Sequence, residues 1–194
     1  MIDFEKIQKR VYQDILEKLP DYLTYHNLAH TQYVSEKALF LAGIEKISES
    51  EIELLRLAAL FHDTGFVENP KNHEEIGCGI ATKYLKDLVS DEDLKKIHGM
   101  IMATKIPQTP TNQLERIIAD ADLEYLGTDD FLRQGNALYE ELLHFNPSLS
   151  EQAWNELQLT FLEKHDYHTD YCKKYREPKK QENIESVKEK LKVL

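Results

Sequence analysis

The stretch that decides the fold is Leu54–Asp63, which reads Leu54-Leu55-Arg56-Leu57-Ala58-Ala59-Leu60-Phe61-His62-Asp63. Its apolar run is built from good helix formers and predicts a buried helix. His62 and Asp63 end the run, and the turn-forming pair Thr64-Gly65 follows. A histidine beside an aspartate offers a neutral nitrogen and an anionic oxygen to one cation, a mixture that borderline divalent metals accept. The stretch therefore predicts a core helix that carries a candidate metal-binding pair at its end.

The rest of the chain has the same helical character. Apolar residues recur at helical spacing, strand signals are absent, and the 194 residues include only 7 Gly and 6 Pro. We therefore expect an all-α fold in a single helical domain spanning residues 1–194. The predicted helices cover roughly residues 4–19, 26–42, 48–62, 72–88, 91–106, 112–126, 129–145, 148–164, 170–175 and 180–194. Ser148 is expected to cap the eighth helix, Pro178 to precede the last, and the basic tail to pack loosely.

Composition and charge narrow the range of partners. The formal net charge is -11, so the surface repels phosphate backbones, and we expect no binding to duplex nucleic acid and no membrane partner. No apolar run approaches the roughly 18 residues that span a bilayer. The first residues do not resemble a signal peptide, and Cys78 and Cys172 do not suggest a disulfide framework, so the predicted location is cytoplasmic. With such a charge, binding a phosphate substrate requires a local cation, which a metal ion supplies.

Two further groups join the His-Asp pair as candidate ligands. His30 lies upstream and Asp122 downstream, each on its own predicted apolar helix. The helix of Asp122 also carries Asp120, and buried carboxylates are costly unless they are paired or bind a cation. Histidine and aspartate groups on three helices therefore suggest one shared metal ion.

Each of these residues also has a simpler interpretation. A lone histidine on an apolar helix is usually a core or surface residue whose hydrogen bonds are satisfied. Asp120 and Asp122 could make hydrogen bonds or ion pairs, for example with Arg116 or Lys105. The joint pattern favours the metal site over these separate explanations.

The ordered set His30, His62-Asp63, Asp122 resembles the HD superfamily of metal-dependent phosphohydrolases. The segment 25–30, Tyr-His-Asn-Leu-Ala-His, is also similar to a motif of the cyclic nucleotide phosphodiesterases within that superfamily, and Ala121-Asp122-Leu123 resembles their last metal-ligand motif. The resemblance implies a helical bundle of the HD-domain type, with residues 26–127 as its motif core and 128–194 as a helical C-terminal extension.

The resemblance also implies roles for individual residues. His30, His62, Asp63 and Asp122 would bind one divalent metal ion, and Asp63 could bridge to a second. The catalytic set would be His26, Asp63 and Lys105. Asp63 or Asp122 would orient a water molecule, and His26 would donate a proton to the leaving oxygen, although His26 could instead cap the N-terminus of a helix or support a metal ligand without touching the metal. Lys105 would neutralise a phosphate unless it is simply a solvated surface lysine.

A second metal site would depend on His73 and His98. The segment 72–77, Asn-His-Glu-Glu-Ile-Gly, resembles the histidine-plus-glycine motif of two-metal HD proteins. His98 has no second histidine beside it, unlike the cyclic-dinucleotide branch, so the second site stays open. Nitrogen and oxygen ligands do not distinguish Mn, Fe, Co, Ni, Zn or Mg.

Three functions are compatible with these residues. The first is hydrolysis of a phosphate ester, such as a nucleotide or related small phosphorylated molecule, and its partner would be that small molecule. The second is a non-catalytic metal-binding regulatory or sensing module. The third is an HD-type di-iron oxygenase, which would need His73 and His98 as ligands. Near the C-terminus, His165 and His168 are expected to be structural, although either could reach the mouth of the site.

Overall fold

The computed structural model describes residues 3–194, which form helices joined by short loops, with no strand among them. The α-helices are α1 (Phe4–Lys18), α2 (Leu28–Ile44), α3 (Glu49–Phe61), α4 (His73–Leu85), α5 (Asp91–Ala103), α6 (Gln113–Leu123), α7 (Phe131–Phe145), α8 (Glu151–Lys164), α9 (Asp170–Tyr175) and α10 (Glu177–Leu191). Two 3₁₀ helices lie at Thr64–Val67 and Glu124–Gly127. The all-α prediction is confirmed. None of the helices in this part of the chain is both long and apolar enough to cross a membrane.

Capping side chains account for several helix boundaries. Ser48 forms the predicted capping box with Glu51, in which each side chain bonds the backbone of the other residue. Asn27 caps α2, so this helix begins two residues later than predicted and leaves His26 outside it. Ser150, and not Ser148, caps α8.

The last helix differs most from its prediction. It starts at Glu177, and Pro178 lies in its first turn, where a missing backbone N–H costs nothing. It also does not pack loosely. Lys180, Ile184 and Val187 are buried along one face, because the helix packs against α8, α9 and the 3₁₀ helix Glu124–Gly127.

The chain packs as two compact units. The first holds the described residues up to Asp21 together with His26–Asp122, and the second holds Tyr22–Tyr25 together with Leu123–Leu194. The predicted boundary between core and extension lay between residues 127 and 128. The assignment of residues 1–194 to a single domain stays a prediction.

Helix α3 forms the centre of the first unit. It packs against α1, α2, α4 and α5, and its side chains from Leu54 to Phe61, except Arg56, are buried. Burial of so many apolar side chains makes α3 a rigid support. His62, at its C-terminal cap, is completely buried at the end of that support.

Candidate metal centre

Three helix ends position the four candidate ligands. His30 lies in the first turn of α2, where the Asn27 side chain accepts hydrogen bonds from the backbone N–H groups of Ala29 and His30. His62 is the C-terminal cap of α3, and Asp63 follows it directly. Asp122 lies one residue before the end of α6. Side chains carried on or directly beside helices are held more precisely than side chains on loops.

The ligand atoms converge on one point. His30 Nε2 lies 3.0 Å from Asp122 Oδ1, 3.3 Å from Asp63 Oδ2 and 3.4 Å from His62 Nε2. His62 Nε2 lies 3.2 Å from Asp63 Oδ2 and 3.8 Å from Asp122 Oδ1. His30, His62 and Asp122 each offer one ligand atom, and these atoms all lie within 4.8 Å of one another, a grouping that could hold a metal ion. Asp63 Oδ2 lies beside both histidine nitrogens of this group.

These spacings fit a metal ion. Ligand atoms about 2.1 Å from a cation are about 3.0 Å apart at right angles and about 3.4 Å apart in a tetrahedron. Asp63 Oδ2 is buried and has no hydrogen-bond partner of good geometry, although two imidazole nitrogens lie close to it. A cation between these atoms would satisfy all of them at once.

The tautomer of His62 suits metal binding. Its Nδ1–H donates a hydrogen bond of 2.8 Å to the Ala59 carbonyl oxygen, since a carbonyl can only accept. In the neutral ring this leaves Nε2, the atom that faces Asp63 and Asp122, without a proton. Such a second hydrogen bond is the usual means of orienting a metal-bound histidine.

The buried carboxylates of the cluster favour positive charge on the groups beside them. Burial by itself lowers the pKa of His30, but contacts with Asp122 and Asp63 outweigh it and raise that pKa to about 10. Burial also lowers the pKa of His62, but the charge and hydrogen bond of Asp63 together with the charge of Asp122 outweigh it and raise that pKa. Burial raises the pKa of Asp63, yet the nearby histidines hold it well below its ordinary value. Without a metal, protons on the histidines therefore balance the carboxylates.

Two glycines let α4 approach this cluster closely. A Cβ atom on Gly65 would lie 1.9 Å from the carbonyl oxygen of His73. A Cβ atom on Gly77 would lie 3.0 Å from the Phe61 carbonyl oxygen and 3.3 Å from that of His62. Packing therefore explains the glycine of the segment 72–77, since the absence of a Cβ atom at Gly77 lets α4 pack against the end of α3.

His26 and His73 lie beside the cluster. The His26 ring centroid is 6.1 Å from that of His30 and 6.2 Å from that of His73. His73 Nε2 lies 3.5 Å from Asp63 Oδ1, and its Nδ1–H donates to the Pro70 carbonyl oxygen at 3.1 Å. Asn27, not His26, provides the side-chain cap of α2, so the capping alternative for His26 does not hold.

Glu74 and Phe66 are neighbours of this group that the sequence reasoning missed. Glu74 is buried, and its Oε1 lies 3.5 Å from His73 Nε2. The sequence offered one indication of this contact, because Glu74 directly follows His73 and a buried acid needs a partner. Phe66 is also buried, and its ring contacts the rings of both His26 and His73. An ordinary apolar residue in a turn carries no sequence signal for such a contact.

His98 and Lys105 have other partners. The Thr82 hydroxyl donates to the Cys78 carbonyl oxygen, so it accepts a hydrogen bond of 3.0 Å from the Nε2–H of His98. A metal-binding role for His98 Nε2 would require that bond to break. The Lys105 ammonium group pairs with the Glu75 carboxylate at 2.5 Å. This ion pair raises the pKa of Lys105 and lowers that of Glu75.

His165 and His168 belong to the second unit. His165 follows α8, and its carbonyl oxygen accepts a hydrogen bond from the buried ammonium group of Lys180. Burial, together with the charges of Lys180 and His168, lowers the pKa of His165 to about 3, so its ring is neutral. Tyr167 packs edge-on against the same ring at 4.8 Å. These contacts suit a structural role for His165.

Comparison with known proteins gives one match. The family model of the HD domain matches residues 27–124, which is just over half of the chain. The matched segment contains all four candidate ligands, together with His73, His98 and Lys105. No curated protein and no solved structure matches the chain.

Proposed function

The chain belongs to the HD-domain family, and on that premise we propose that it is a metal-dependent phosphohydrolase. Its metal ion would be held by His30, His62, Asp63 and Asp122. The observation that carries the proposal is the convergence of these side chains, since each of the two histidine Nε2 atoms lies 3.0 to 3.8 Å from an oxygen of Asp63 and of Asp122. This donor set of imidazole nitrogen and carboxylate oxygen suits Mn, Fe, Co, Ni or Zn.

The chemistry divides between the cation and the side chains around it. When bound, a divalent cation supplies a Lewis acid for a phosphoryl oxygen and lowers the pKa of a water molecule. Hydrolysis forms a bond from phosphorus to the water oxygen and breaks the bond to the leaving oxygen. His26 would give its proton to that leaving oxygen, and Asp63 or Asp122 would orient the water.

The proposed substrate is a small phosphorylated molecule such as a nucleotide. The net charge of -11 disfavours duplex nucleic acid, because a polyanion would be repelled over its whole length. A small ester needs only local positive charge, which the bound cation would provide.

Metal analysis of the purified protein, followed by a panel of nucleotides and aryl phosphates with each candidate metal, tests this proposal. Asp63→Ala should abolish tight metal binding in calorimetry and lower kcat by at least about 100-fold, with an unchanged helical circular dichroism spectrum. The matched control is Asp129→Ala, which removes a carboxylate that is 95% exposed, and it should retain both properties. Wild-type turnover in Asp63→Ala would refute the assignment of the site.

One observation favours a second candidate, a metal-binding module without turnover. Lys105, the cation expected to neutralise a phosphate, is paired with Glu75. A purified protein that binds metal tightly yet hydrolyses no ester in the panel would support this candidate over the enzyme.

A further inference from the structure

The ring of Phe66 contacts the rings of two histidines, His26 and His73, near the candidate metal centre. Its ring centroid is 4.1 Å from that of His26, with the two planes 18° apart, and 4.1 Å from that of His73, with the planes 32° apart. The phenyl ring is only 7% exposed. Both imidazoles therefore pack against one buried aromatic side chain.

The same turn fixes Phe66 relative to the candidate ligands. The backbone N–H of Phe66 donates a hydrogen bond of 3.1 Å to the carbonyl oxygen of Asp63. Phe66 lies in the 3₁₀ helix Thr64–Val67, which packs against α4, and Gly65 allows a close approach to His73. The backbone of Phe66 is thus tied to that of Asp63, one of the candidate ligands.

The stack with Phe66 bears on the orientation of the His26 ring. His26 precedes Asn27, the N-terminal cap of α2, and so lies outside that helix. Stacking on Phe66 orients the plane of the His26 imidazole. The contact is between the faces of the two rings and does not use either imidazole nitrogen as a hydrogen-bonding group. The orientation of this ring matters to the proposed role, because small misplacements of a catalytic group are costly.

We propose that Phe66 is a positioning residue, which holds the His26 ring at the leaving oxygen of the substrate. The inference rests on the proposed phosphohydrolase function. Phe66 would act through His26 and would not itself touch the reacting atoms. Its loss should therefore impair protonation of the leaving oxygen more than binding of the ester.

Two esters that differ only in the leaving group provide the test. p-Nitrophenolate leaves readily without a proton, whereas phenolate needs protonation more. Phe66→Leu should lower kcat for the phenyl ester about tenfold more than for the p-nitrophenyl ester, with KM little changed. Phe66→Tyr keeps the stacked ring and should retain the wild-type ratio. His26→Gln should show the same selective loss as Phe66→Leu.

Phe131→Leu is the matched control, because Phe131 is also buried, at 1% exposure, and lies in α7 of the second unit. It should leave the ratio of the two rates unchanged. If Phe66→Leu does not fold, Phe66→Met repeats the comparison with a flexible side chain that fills the space.

Nuclear magnetic resonance of the metal-free protein tests the contact without any turnover. In Phe66→Leu the ring protons of His26, assigned with His26→Gln, should lose the ring-current shift that the phenyl group produces. Unmoved His26 resonances, or equal losses of kcat for both esters, would overturn the inference while the hydrolase function stands. If the wild type hydrolyses no nucleotide and no aryl phosphate of the panel with any metal, the proposed function fails and the leaving-group role fails with it.

Discussion

Replacing Gly65 with alanine should destabilise the protein, although the backbone conformation at Gly65 is open to any residue. The new Cβ atom would lie 1.9 Å from the carbonyl oxygen of His73, 2.6 Å from its carbonyl carbon and 2.7 Å from its Cα atom. Real Cβ contacts are essentially never shorter than 3.0 Å, so the start of α4 must move by about 1.1 Å. All three obstructing atoms are backbone, so no side chain can simply rotate away.

The size of the effect follows from this overlap. Overpacking of a well-packed region costs about 1–3 kcal/mol. For a chain of 194 residues each kcal/mol lowers Tm by about 2–4 °C, so Tm should fall by about 2–12 °C. The shift would also move His73 away from Asp63, where their closest atoms are now 3.5 Å apart.

Thermal unfolding followed by circular dichroism at 222 nm measures the change, and Gly79→Ala is the matched control. Gly79 lies in α4, and a Cβ atom there would meet nothing within 4 Å. Alanine should therefore stabilise this exposed helix position by about 0.5–1 kcal/mol and raise Tm by about 1–4 °C. If Gly65→Ala unfolds within 1 °C of wild type, or both variants lose stability equally, the close packing of α4 against this turn is not real.

Other measurements test the metal centre and the helix caps. Removing the metal with a chelator should lower Tm by about 5–11 °C from its value with metal at about 100 times Kd, because the bound ion then adds about 2.7 kcal/mol of stability. An unchanged Tm, measured on protein shown to be metal-free, would contradict a metal ion bound at this site. Calorimetry in two buffers at pH 8 should show proton release on metal binding, since the pKa of His30 is about 10 without metal. The pKa of His30 in the folded, metal-free protein lies above its ordinary value of 6.5, so the stability that His30 contributes is complete below about pH 6.5 and is lost as pH rises through about 10. Urea unfolding at pH 6, 8 and 10 measures this loss. A contribution from His30 that rises with pH would refute the raised pKa. Ser48→Ala should cost about 1 kcal/mol by removing the capping box of α3, and an unchanged urea midpoint would count against that cap.

Much of the fold was predictable from local patterns. Apolar residues at helical spacing predicted the helices, and Ser48 with Glu51 predicted the start of α3 correctly. Errors arose where local signals compete. Ser148 and Ser150 are both good capping residues, and only the folded chain selects Ser150. The prediction places Pro178 before the last helix, although proline is equally suited to a first turn.

The candidate ligands were also named from residue type and order. Histidine and aspartate carry their metal chemistry wherever they lie, so residue type and order pointed to His30, His62-Asp63 and the aspartates of α6, and the family resemblance selected Asp122 over Asp120. Their meeting is a different matter, because His30 and Asp122 are 92 residues apart in the chain and their atoms lie 3.0 Å apart in the fold.

The sequence by itself determined the helical fold class, the family resemblance and the chemical identity of the candidate ligands, since these depend on residue type, spacing and order. Only the tertiary structure decided which other groups surround them. It placed Phe66 against His26 and His73, buried Glu74 beside His73, and directed His98 to Thr82 and Lys105 to Glu75. Apart from the contact between Glu74 and His73, which are neighbours in α4, these contacts join different elements of the fold, and apolar periodicity does not specify which polar or aromatic side chains meet there.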